Sequence, residues 1–175
     1  KRDVQIAMVN TWVDRAAILG TPHIRVFAGT SAGTTPEDAK KRCIGALEEC
    51  CEYAGKKGII LGLENHGGIV AEADAVVDIV RAVKSPWLGI NLDTGNFQTA
   101  DPYADLAKCA PYAVNVQYKV DIQPRGKPKQ AADPARIVKI LQEANYQGYL
   151  VLEYEAAEDP WKAVPPILKQ LRGLI

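Results

Sequence analysis

Four side chains able to offer an oxygen to a hard cation, Glu64, Asp93, Gln117 and Glu153, each stand at the end of a short apolar run: Leu-Gly-Leu-Glu, Asn-Leu-Asp, Asn-Val-Gln and Val-Leu-Glu. Three carboxylates gathered at one point repel one another and hold their protons more tightly, and a divalent cation is the simplest way to keep them ionised. Oxygen donors without thiolate or clustered imidazole favour Mn2+ or Mg2+, with Co2+ or Zn2+ as further possibilities. Such a set suits proton transfer beside a carbonyl. One group removes a proton to give an enediolate, a second returns it, and the cation stabilises the developing charge. The plainer alternative makes each acid a first-turn residue serving the dipole of the helix that follows its strand. That alternative suffices for one acid and fits the whole set poorly.

Other polar residues flank these positions. His66 follows Glu64 by two and precedes Gly67-Gly68, where it either contacts a substrate hydroxyl or shapes the turn. Lys119 and Arg125, with Lys127 and Lys129 beyond them, form a basic stretch after Gln117 that could hold a phosphate or carboxylate of a substrate, although Lys127 and Lys129 read as solvated loop charge. The Gly29–Thr34 loop lacks the Gly-Lys-Ser/Thr ending of a phosphate-binding P-loop. His23 opens a strand, at the end opposite to the acids, and is expected to be structural.

The elements that must position these residues alternate along the chain. Helical spacing of apolar residues covers 3–19 and stops at Gly20, followed by a strand at 23–27. Thr35-Pro36-Glu37-Asp38 starts a helix running to about residue 55. Strands follow at 58–63, 88–92, 113–118 and 148–152, the first of them reading as buried on both faces. Helices are expected at 71–83, 102–109, 135–144 and 159–173, the last interrupted at Pro165-Pro166. Trp12, Trp87 and Trp161 are expected to pack helices against the sheet or cover its lower end. Strand–helix alternation calls for a parallel sheet with helical crossovers, and polar residues at successive strand ends favour a barrel over an open sheet. A complete (β/α)8 barrel takes about 250 residues, so 175 residues lack roughly three βα units.

Composition limits the partners. Lys plus Arg and Asp plus Glu both number 21, so no overall field draws nucleic acid or an anionic membrane. No stretch approaches the roughly 18 apolar residues of a membrane span, and the first residues lack a signal-peptide pattern; a soluble cytoplasmic protein is expected. Cys43, Cys50, Cys51 and Cys109 show no CxxC spacing and are read as reduced, half-buried small hydrophobes.

Three segments, Leu-Gly-Leu-Glu-Asn-His-Gly-Gly from Leu61, Gly-Ile-Asn-Leu-Asp-Thr-Gly-Asn-Phe from Gly89 and Tyr-Leu-Val-Leu-Glu-Tyr-Glu from Tyr149, resemble the metal-bearing strands of xylose-isomerase-like sugar phosphate isomerases and epimerases. The resemblance covers essentially the whole chain and implies a single, incomplete barrel domain over residues 1–175, equivalent to strands 4–8. Family members use Glu, Asp, His and Glu as metal ligands, and the two glutamates double as acid and base. The resemblance therefore makes Glu64 and Glu153 ligands and proton-transfer groups, Asp93 a ligand, and Gln117 a ligand where His is common. Asn96 stands where relatives often place a substrate-contacting His, and Lys119, Arg125 and His66 complete the candidate substrate contacts. The implied activity is a metal-dependent isomerisation or epimerisation of a sugar, sugar phosphate or keto-sugar. A metal-dependent dehydratase acting on a keto-polyol and a catalytically silent sugar-binding fragment are the alternatives. The fold also hosts an apurinic-site endonuclease, but that activity needs a histidine-rich metal cluster and this chain has two histidines. The expected partner is a small sugar, without nucleic acid or membrane. The edges of an incomplete barrel call for a missing N-terminal segment or a second copy of the chain.

Overall fold

The computed structural model describes residues 2–175. Helix α1 spans Arg2–Leu19, β1 His23–Val26, α2 Pro36–Lys56, β2 Ile60–Glu64, α3 Ala73–Ala82, β3 Leu88–Asp93, α4 Pro102–Cys109 and β4 Ala113–Tyr118. A short hairpin of β5, Asp121–Ile122, and β6, Gln130–Ala131, precedes α5 at Pro134–Glu143, β7 at Leu150–Leu152 and α6 at Pro160–Arg172. The five long-range strands form one parallel sheet in the order β1-β2-β3-β4-β7, an α/β half-barrel of about five βα units.

Local chemistry explains where the helices start. Thr35, Asp101, Asp133 and Asp159 each precede a proline, and each side chain accepts a hydrogen bond from the first turn of α2, α4, α5 or α6. Proline loses nothing at a position whose N–H has no helical partner, and the capping oxygen satisfies an otherwise orphaned donor. Contrary to expectation, α6 runs through Pro165 and Pro166 without interruption. Proline's fixed φ is itself helical, and the buried Ala163 and Leu171 anchor the helix on either side of the two missing donors.

The sheet separates two environments by strand parity. Leu61, Leu63, Ile90, Leu92 and Val116 point outward and are fully buried in one apolar cluster with Val76, Ile79, Leu106 and Ile137 of the helices. The inward positions carry Arg25, Gly62, Glu64, Asn91, Asp93, Asn115 and Gln117. Strand β2 is thus buried on both faces, as expected, but its inner face ends in the carboxylate of Glu64. Gly62 occupies an inward position because a Cβ there would lie 2.3 Å from His23 Nε2 and 2.9 Å from Asn91 Cβ. His23 sits at the N-terminal end of β1, away from the acids.

Trp87 packs as expected, its ring edge resting where a Cβ on Gly55 would be. Trp12 is half-exposed and Trp161 is almost fully exposed, which corrects the expectation for both. Trp12 lies under the Arg15 guanidinium, and Trp161 falls in the first turn of α6, off the stripe that carries Ala163 and Leu171. Cys50, Cys51 and Cys109 are free and buried, and burial raises their thiols to about 11, 11 and 12. Both edges of the sheet are apolar. A groove of about 700 Å³ opens beside β1, lined by Ile6, Val9, Trp12, Val26, Phe27 and Leu47, and Tyr149 and Val151 are exposed at β7. No helix among the described residues is long and apolar enough to cross a membrane.

Candidate active site

Parallel register brings the strand ends to one rim. Glu64 is the Cα partner of Asn91, Asp93 of Gln117, and the Glu153 N–H extends the β4–β7 ladder by donating to Tyr118 O at 2.9 Å. Glu64 and Asp93 are 1% exposed, Gln117 is 8% exposed, and the Glu153 side chain is about one-third exposed.

A polar chain crosses the inner wall in strand order. Arg25 Nε of β1 pairs with Glu64 Oε2 at 3.1 Å, and Asn91 Nδ2 approaches the same oxygen at 3.5 Å. Asn91 Nδ2 also donates to Gln117 Oε1, and Gln117 Nε2 donates to Glu153 Oε2. Lys119 Nζ closes the series 3.1 Å from Glu153 Oε2 and 3.7 Å from Asp93 Oδ2, and it also pairs with Glu155. One layer deeper, Asn115 Nδ2 donates to Asn91 Oδ1 at 2.8 Å. The carboxylates set the polarity: an ionised carboxylate only accepts, so Gln117 must turn its NH2 to Glu153 and its oxygen to Asn91. Polar groups linked in this way hold one another in place along the inner wall.

Asp93 is held by its backbone as well. The Asn65 side chain accepts from Asp93 N at 2.8 Å and donates to Asp93 O at 2.9 Å. Gly95 N donates to Asp93 Oδ1 at 2.8 Å, whereas the buried Asp93 Oδ2 has no hydrogen-bond partner. Burial pushes the Asp93 carboxyl up to about 6; the Gly95 N–H and Lys119 pull it down, and Glu64 and Glu153 add to the rise. Burial also raises Glu64, with Arg25 as the main opposing influence.

Of the residues singled out in the sequence, Glu64, Asp93, Gln117, Glu153, Asn96 and Lys119 come together. Asn96 Nδ2 donates to Glu64 Oε1 at 3.2 Å. His66 is exposed at the rim, its ring edge-on to Phe27 with centroids 5.1 Å apart, and Phe27 in turn carries the Arg25 guanidinium. Arg125 is elsewhere. It pairs with Glu72 and donates to Gln98 O at 3.3 Å, pinning the hairpin loop to the start of α3. Sequence reading missed Arg25, Asn65, Asn91, Asn115 and Glu155. Parity offered a signal for Asn91 and Asn115, which stand two residues before Asp93 and Gln117 and so share their face.

Beside Glu153 opens a polar cleft of about 140 Å³, lined among others by Asn96, Lys119, Gln123, Lys129 and Glu155. Among the described residues no three His, Cys, Asp or Glu side chains stand close enough together to cage a cation in this arrangement. The donor set nevertheless suits a hard divalent ion in kind, and the orphaned Asp93 Oδ2 is an oxygen such an ion would satisfy.

Comparison with known proteins agrees with the half-barrel. A D-tagatose 3-epimerase-like protein superposes with a TM-score of 0.81 at 18% identity, over 99% of this chain and 70% of its own. A xylose isomerase-like TIM barrel protein from Mycobacterium smegmatis, in complex with magnesium, gives 0.74 at 16% identity over 99% and 69%. At these identities the likeness is one of fold. A curated relative named probable endonuclease 4, from Mesomycoplasma hyopneumoniae strain J, is 34% identical over 86 residues, 47% of this chain but only 30% of that protein. The chain thus spans less than a third of that relative's length in the matched region. The family described as xylose isomerase-like TIM barrel matches residues 1–171, and the chain belongs to that family.

Proposed function

We propose that this protein is a divalent-metal-dependent sugar isomerase or epimerase that moves a proton beside a carbonyl, with Glu64 and Glu153 as the proton-transfer pair. The observation that carries this reading is the pairing of each glutamate with its own cation, Glu64 with Arg25 and Glu153 with Lys119, at one rim and flanking the orphaned Asp93 Oδ2. Glu64, Asp93, Gln117 and Glu153 are the residues that would hold the ion, with Gln117 contributing its amide oxygen once that oxygen is released from Asn91. A bound Mn2+ or Mg2+ supplies Lewis acidity that stabilises negative charge developing on substrate oxygens. Arg25 and Asn96 fix the Glu64 carboxylate on both oxygens, so it meets the substrate in one orientation. Glu153, more exposed and facing the polar cleft, returns the proton from the other side of an enediolate. Asn96 and Lys119 line that cleft and are suited to bind sugar hydroxyls. His66, on the rim beside Phe27, provides a further hydrogen-bonding group there.

The same proton abstraction becomes dehydration when a hydroxyl leaves from the carbon beta to the carbonyl, so a lyase shares every step but the last. The name of the endonuclease relative points to nucleic acid, but two histidines and a net charge of zero give less support to that reading. The apolar groove at β1 and the exposed face of β7 are surfaces that further βα units or a second copy of the chain would cover.

The test is incubation with a panel of ketoses in D2O, with Mn2+ or with EDTA, read by NMR. Deuterium at a carbon adjacent to the carbonyl, dependent on the added ion, is expected. No incorporation into any ketose would count against the isomerase and epimerase reading, and loss of water in its place would indicate the lyase.

A further inference from the structure

Lys119 is built into the site. Its backbone N–H donates to Thr94 Oγ1 at 2.9 Å. Its stem packs so closely on Gly95 that a Cβ there would lie 2.7 Å from Lys119 Cγ and 2.8 Å from Lys119 Cβ. The side chain is 12% exposed, and its ammonium lies within ion-pair reach of Asp93, Glu153 and Glu155 together. The group is a fixed positive charge among the carboxylates that the proposed divalent ion would use.

We propose that Lys119 is an internal counter-ion that competes with the divalent cation for Asp93 and Glu153, so that metal binding is an exchange in which the ammonium withdraws to Glu155. The inference rests on the metal site proposed above. Two cations cannot share the same pair of carboxylates at contact distance without strong mutual repulsion. Glu155 offers the retreat: it lies on the outer side of the ammonium, 63% exposed, with no other cation paired to it among the described residues. With Lys119 in place Asp93 and Glu153 have a positive charge beside them before a metal arrives. The cost of displacing it lowers metal affinity and keeps the ion exchangeable.

The experiment is Mn2+ titration of the full chain, freed of metal beforehand, following the free-ion signal by electron paramagnetic resonance. Lys119→Met keeps the buried stem and removes the charge, and it should bind Mn2+ about tenfold more tightly than the unaltered chain. Lys119→Arg keeps the charge and should stay within about twofold. Glu155→Gln, at an exposed position where folding is not at risk, removes the retreat and should weaken binding several-fold. Equal or weaker binding by Lys119→Met, or unchanged binding by Glu155→Gln, overturns the exchange while leaving the metal site standing. Absence of Mn2+ binding by the unaltered chain and both Lys119 variants overturns the exchange and the metal reading with it.

Discussion

Glu64→Gln will lower proton exchange from a responsive ketose by about 10²–10⁴-fold, the range expected when a positioned general base is removed. The substitution is nearly isosteric, so the wall remains standing while the acceptor of the proton disappears. Arg25 Nε and Asn91 Nδ2, which both address Glu64 Oε2, then face a neutral amide in place of a carboxylate, and the half-exposed Arg25 guanidinium loses its counter-charge to solvent at little cost. The effect should fall on kcat much more than on KM, because the lost interaction is made to the reacting proton. A fall confined to KM would reassign Glu64 to substrate binding. Glu153→Gln should lose net conversion of the ketose to a comparable degree while still supporting exchange at the face from which Glu64 removes the proton.

The second large effect is on stability and its pH dependence. Asp93 has a native value of about 6 against an ordinary 3.8, so the folded protein holds this proton more tightly than the unfolded chain does. A group raised in this way contributes stability that is fully present below the unfolded value and is lost as the pH rises through about 6. The difference corresponds to about 3 kcal/mol of penalty above pH 6 in the absence of a divalent ion. Asp93→Asn removes the ionisation but places an amide donor near Lys119, so a net gain of about 1–2 kcal/mol at pH 8 in EDTA is expected, a rise of about 3–6 °C in Tm. The gain should vanish at pH 4, where the native Asp93 is protonated. Mn2+ should raise the Tm of the unaltered protein and raise that of Asp93→Asn much less. Thermal melts of both proteins at the two pH values, with EDTA and with Mn2+, check each part. A lower Tm for Asp93→Asn at pH 8 in EDTA would show that the carboxylate is satisfied without a metal. Holding a buried, incompletely paired carboxylate is a familiar sacrifice of stability to function.

How far these features were legible in the sequence depended on how each one is encoded. Strand ends could be read because Leu61, Leu63, Ile90, Leu92 and Val116 repeat on the outer face and the acids interrupt them. The helix starts were carried by Thr35-Pro36 and its three Asp-Pro counterparts. Gly62 obscured the two-faced nature of β2, because a residue without a side chain reads as apolar in a run of leucines. The partners of the acids were harder. Asn91 and Asn115 share parity with Asp93 and Gln117, but Arg25 meets Glu64 only through the β1–β2 register, which no local pattern specifies. The β5–β6 hairpin has two residues in each strand, too few for a periodic signal. It carries Arg125 away from the carboxylates and onto Glu72, a placement that depends on where the loop packs.

The proposed reaction, the Mn2+ effect on Tm and the Lys119 exchange presuppose a cation that meets residues at the ends of four different strands. Anomalous diffraction from crystals grown with Mn2+ examines that most directly. One peak bonded to Asp93 Oδ2 and to the carboxylates of Glu64 and Glu153, with the Gln117 amide oxygen turned toward it, is the predicted result. Saturating Mn2+ that leaves Asp93 Oδ2 bare, with the Lys119 ammonium still lying between residues 93 and 153, would contradict the account.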